Sequence, residues 1–94
     1  MGTKPRRRPN RLGEKLLQIR LWCGLSQTGM LRHLGVEDSV SQNTLSSYEL
    51  GNREPSLLVI LEYARVAGVH VEDLIDDNTD LPAKLPGKVK YRTE

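Results

Sequence analysis

The chain has 94 residues, enough for one small domain with a single core. With 37% hydrophobic residues and no Phe, that core rests on Leu, Ile and Val; one cysteine, Cys23, excludes an internal disulfide and a cysteine-rich metal site and fits a reducing compartment. No apolar run approaches the roughly 18 residues of a membrane span, and none follows the basic N-terminus as in a secretory signal, so a soluble cytoplasmic protein without membrane contact is expected.

In chain order, residues 1–10 come first, an arginine run with Gly2, Pro5 and Pro9 and no apolar periodicity: a flexible basic arm. Leu12, Leu16, Ile19 and Cys23 then form one helical stripe, so the first helix is expected over 11–23, with Asn10 as cap and Gly24 as stop. Ser26 caps a second helix that runs to Leu34 with Met30, Leu31 and Leu34 inward, and Gly35 ends it. After a turn over 36–40, Ser41 caps a third helix at 42–50, with Leu45 and Tyr48 toward the core and Gly51 as stop. Ser56 caps a fourth at 57–67, with Leu57, Ile60, Leu61, Ala64 and Ala67 inward. A short fifth helix spans 71–76, with Leu74 and Ile75 inward. Leu81-Pro82 and Leu85-Pro86 preclude helix beyond it, so 78–94 reads as an extended or disordered tail. The expectation is an all-α fold: a compact five-helix domain over 11–77 between an arm and a tail.

Charge is distributed unevenly along this frame. The net charge is +2, yet residues 1–36 carry eight bases against one acid, a balance of +7, and residues 72–80 carry five acids and no base. Such a domain can present one basic face to a polyanion. The third helix sharpens the point, because Gln42, Asn43, Thr44, Ser46 and Ser47 surround its two core residues. Asn and Gln match adenine at N6 and N7, and Ser or Thr meets several base edges. His33 and His70 have no partners at metal-ligand spacing, and no nucleophile elbow or phosphate-binding loop is present. No enzyme, metal or cofactor is expected.

The ordered set Gly24-Leu25-Ser26-Gln27, Leu34-Gly35-Val36, Ser41 through Glu49, Gly51, Arg53 and Pro55-Ser56 resembles the Cro and phage-repressor type of helix-turn-helix regulators, also called the xenobiotic response element family. The likeness continues through Leu57, Ile60, Leu61, Ala64, Gly68-Val69 and Leu74, covering about residues 12–76. It implies a repressor-like five-helix domain that binds double-stranded DNA, with 42–50 as the recognition helix in the major groove. By position, Gln27 meets a phosphate; Ser41, Gln42, Asn43, Thr44, Ser46 and Ser47 reach bases or flanking phosphates; Asn52 and Arg53 lie on the backbone. Arg20 and Glu49 stand where relatives form an ion pair. Relatives with basic arms lay them on DNA, which gives that role to Arg6, Arg7, Arg8 and Arg11.

Two departures stand out. About four extra residues separate Gly35 from Ser41, leaving Val36 or Val40 for the apolar turn position, and Leu31 occupies a position that is usually small. The resemblance further implies transcriptional control, as a repressor, by a homodimer joined through the fourth and fifth helices, with the 78–94 tail as a further candidate for the interface. The alternative is an antitoxin-like module whose acidic 72–80 segment and proline-bearing tail bind a protein partner.

Overall fold

The side chains that repeat every third or fourth residue build five helices in a computed structural model that describes residues 8–87. They are α1 (Leu12–Cys23), α2 (Gln27–Leu34), α3 (Gln42–Leu50), α4 (Leu57–Ala67) and α5 (Val71–Ile75). No strand occurs among the described residues. Ser26, Ser41 and Ser56 cap α2, α3 and α4, each hydroxyl accepting from the N–H three residues on. Glycine in the left-handed region ends each of the first four helices.

The helices enclose one cluster that includes Leu16, Ile19, Met30, Leu45, Ile60 and Leu74. The long turn before α3 wraps onto the same cluster. The N–H groups of Ser39 and Val40 both donate to the Val36 carbonyl, at 3.0 and 2.9 Å, closing one helical turn. Val40 is buried and Val36 packs partly buried beside it, so both valines serve the apolar turn position. The added Glu37, Asp38 and Ser39 stay outside. Leu31 is accommodated in the core.

Several positions differ from the periodic reading. Asn10 does not cap α1. The N-cap residue is Arg11, with no side-chain cap of its own, and the Asp77 carboxylate accepts from the N–H groups of both Asn10 and Arg11 at 2.9 Å. Leu57 and Ile75, assigned inward, are 79% and 42% exposed, whereas Val59 and Tyr63 are buried. Leu57 and Leu58 at the start of α4 lie outside the core, and the inner face runs through Val59, Ile60 and Tyr63.

Lys15 is buried in the middle of α1. Its Nζ donates to the carbonyls of Asp73 and Asp76, at 2.8 and 2.7 Å, at the C-terminal end of α5. A buried ammonium is costly unless hydrogen-bonded, and these carbonyls carry the negative end of a helix dipole.

Residues 78–87 contain no helix, yet they form a packed strap rather than a loose end. Leu81 and Leu85 are buried in the core cluster, Gln18 donates to the Pro82 carbonyl at 3.1 Å, and the Gly87 N–H donates to the Ala67 carbonyl at 2.8 Å. The backbones of Gly68 and Gly87 approach so closely that a Cβ on Gly68 would lie 2.6 Å from the Gly87 nitrogen. Only glycine allows this crossing.

Candidate nucleic-acid interface

The outer surface of α3 follows from its helical spacing. Leu45 and Tyr48 face the core, which turns Gln42, Asn43, Ser46, Ser47 and Leu50 outward. Gln42 and Asn43 are exposed, and Ser46 and Ser47 are half-buried. Leu50, the last residue of α3, is 72% exposed on this face, a residue the sequence reading passed over. Its signal was an apolar side chain outside the Leu45–Tyr48 stripe of an otherwise polar helix.

Beneath this face lies a chain of hydrogen bonds anchored in α1. Arg20 holds Glu49 through Nε to Oε2 at 2.7 Å and Nη2 to Oε1 at 3.1 Å, while its Nη1 donates to the Leu25 carbonyl at 3.0 Å. The two side chains are only 15% and 5% exposed. Gln27 Nε2 also donates to Glu49 Oε1, at 3.1 Å, and Gln42 Nε2 donates to Gln27 Oε1 at 2.8 Å. Glu49 can only accept, so Gln27 must present its NH2 to it. The Gln27 oxygen is thereby left for Gln42. Gln27 is thus a bridge between the ion pair and the outer face of α3 as well as the first residue of α2. The N–H groups of Gln27 and Thr28 have no acceptor within their helix.

Around the rim, the Ser41 hydroxyl accepts from Thr44 N at 3.1 Å and donates to Thr44 Oγ1 at 3.0 Å. Arg53 Nη1 donates to the same Thr44 Oγ1 at 3.3 Å, drawing the arginine from the loop back toward the start of α3. Ser47 Oγ donates to the Asn43 carbonyl, and the backbone N–H groups of Asn52 and Arg53 close on the Ser47 carbonyl. Asn52 and Arg53 are exposed beside the end of the helix.

The basic arm divides in two. Arg6 and Arg7 lie outside the described residues. Arg8 is exposed and lines a cleft of about 210 Å³ with Tyr48, Gly51, Arg53 and Glu54, so the root of the arm sits against the end of α3. Arg11, grouped with the DNA contacts by sequence, is engaged inside the protein. It pairs with Glu14 at 3.0 Å and Asp80 at 2.6 Å, and its Nη1 donates to the Asp77 carbonyl. These carboxylates raise its pKa further, Glu14 foremost.

No group of His, Cys, Asp or Glu among the described residues is arranged to hold a metal ion, and no described helix is long and apolar enough to cross a membrane. Two successive helices joined by a turn, with the second helix polar on its outer face and braced from below, define a DNA-binding domain. The helix-turn-helix family model matches residues 16–74, and the chain belongs to that family, in its Cro and phage-repressor type. No curated protein and no solved structure matches the chain.

Proposed function

We propose that the protein is a sequence-specific transcriptional regulator that reads duplex DNA with residues 42–50 and acts as a repressor by occupying its site. The observation that carries this reading is the tethering of Gln42. One of its amide hydrogens is held by Gln27. The other hydrogen and the carbonyl oxygen remain for a base, which is the donor and acceptor pair that adenine N7 and N6 require. Asn43, Ser46 and Ser47 extend the hydrogen-bonding face, and Leu50 adds an apolar patch suited to a thymine methyl group. In this reading Asn52, Arg53, Arg8 and the first N–H groups of α2 meet phosphates.

A single nine-residue helix spans few base pairs, and specificity calls for two half-sites about one DNA turn apart. In this reading a second copy of this chain docks at the apolar groove of about 360 Å³ formed by Pro9, Pro55, Leu57, Ile60 and Ile75, where the exposed ends of α4 and α5 meet. The alternative is an antitoxin-like module that binds a protein partner through the acidic segment, in which Asp73, Asp77 and Asp80 bond to His70, Asn10 and Arg11 of their own domain while Glu72 is exposed.

The test is selection from a pool of random duplexes, with Gln42→Ala and Asn43→Ala in parallel. An enriched palindrome, relaxed at specific positions by each substitution, supports the regulator. Salt-sensitive binding without any enriched sequence would refute base reading by α3.

A further inference from the structure

The acids after α5 face the root of the basic arm, and they do so with backbone bonds as well as ion pairs. Asp77 Oδ2 and Oδ1 each accept one N–H, from Asn10 and Arg11, both at 2.9 Å. Arg11 Nη1 returns a bond to the Asp77 carbonyl at 3.1 Å. The preceding residue is itself fixed, because the buried Lys15 holds the Asp76 carbonyl. The chain therefore leaves α1 from a clamped pair of residues, and Pro9 restricts the next step. From there Arg8 lies in the cleft beside Tyr48, Gly51 and Arg53. Lys4, Arg6 and Arg7 precede that point in the sequence.

We propose that Asp77 is a positioning residue for DNA binding, whose carboxylate fixes Asn10 and Arg11 so that Arg8 is held beside the end of α3 and reaches the same duplex. The inference rests on the DNA-binding reading above. Its physical basis is effective concentration. A root held next to the recognition helix keeps Arg8 near its phosphate, whereas a released root spreads that charge over a larger volume and adds ordering entropy to binding.

The sign of the effect separates this from plain electrostatics. Removing a negative charge from a DNA-binding protein strengthens its attraction to phosphates. Removing Asp77 should instead weaken it. Kd is measured across a salt series on a duplex bound by the parent, using the full chain. Asp77→Ala is expected to bind about fivefold more weakly, with the salt slope reduced by about one contact. Asp77→Asn keeps one acceptor and should fall between. Asp80→Ala makes the same charge change but relaxes only the Arg11 side chain, and should bind at least as tightly as the parent. With Lys4, Arg6, Arg7 and Arg8 all replaced by Ala in the full chain, Asp77→Ala should have no further effect.

Circular dichroism confirms that each variant is folded at the assay temperature. A folded Asp77→Asn that binds as tightly as the parent, or an Asp77 effect of equal size in the arm-neutralised protein, would overturn the inference while leaving the regulator reading intact. Sequence-independent binding by the parent would overturn base reading alone, since the Asp77 comparison runs equally well on that duplex. A parent that binds no duplex would overturn both.

Discussion

Truncating Glu49 should unfold the domain at a much lower temperature and blunt its choice of sequence, for one shared reason. The carboxylate accepts two bonds from Arg20 and one from Gln27, in a site where its own side chain is 5% exposed. In Glu49→Ala the guanidinium retains only the Leu25 carbonyl. Removing one member of a buried pair costs about 3–5 kcal/mol, and the 15% exposure of Arg20 places this case near the lower end. At roughly 4–8 °C per kcal/mol for a domain of this size, a loss of about 3 kcal/mol lowers Tm by about 12–24 °C. Thermal and urea unfolding followed by circular dichroism measure it. Arg20→Met combined with Glu49→Leu should be more stable than either single variant, because no uncompensated charge remains. The double variant should still discriminate poorly at the Gln42 position, since Gln27 has lost its anchor. A cost under about 1 kcal/mol for Glu49→Ala, as for an exposed pair, would refute the reasoning. So would a double variant that loses the sum of both singles.

Three further outcomes are expected. Gly13→Ala should destabilise despite alanine's better helix propensity, because the new Cβ would lie 2.7 and 2.8 Å from the Tyr48 and Glu49 carbonyl oxygens; overpacking of about 1–3 kcal/mol outweighs a gain of about 1, as urea unfolding will show. Tyr63→Phe should be neutral or stabilising by up to about 2 kcal/mol, since the buried hydroxyl has no hydrogen-bond partner among the described residues and burial pushes its ionisation up; a clear loss in Tm would show that the hydroxyl is bonded. Asp77 has its pKa lowered from the ordinary 3.8 by the Asn10 and Arg11 N–H groups. A depressed folded value contributes stability above the unfolded pKa and loses it as pH falls through the folded one. Asp77→Asn should therefore melt below the parent at neutral pH, with the gap closing as the pH drops below 3.8.

The sequence by itself determined what local chemistry governs. Serine caps and glycine stops act within a turn of their own position, so the limits of α2, α3 and α4 follow from residues such as Ser26, Ser41, Gly51 and Gly68. The same local logic separates the core stripe of α3 from its polar face, and with it Gln42, Asn43, Ser46 and Ser47. Leu50 lies off that stripe, so its exposure was legible in the same spacing although the reading did not use it. What only the tertiary structure decided involves partners distant along the chain. Asp77 accepts from the N–H of Arg11, just before α1, from 66 residues away, and Lys15 reaches the Asp76 carbonyl across 61. Neither contact leaves a trace in local spacing. Burial has the same limit. A stripe shows which side of a helix can be covered but not how far its neighbours extend, so Leu57 and Ile75 end outside while Tyr63 is enclosed. The 78–87 strap is the clearest case. Its prolines rule out helix, while the burial of Leu81 and Leu85 and the meeting of two glycine backbones at Gly68 and Gly87 are set by elements distant in sequence.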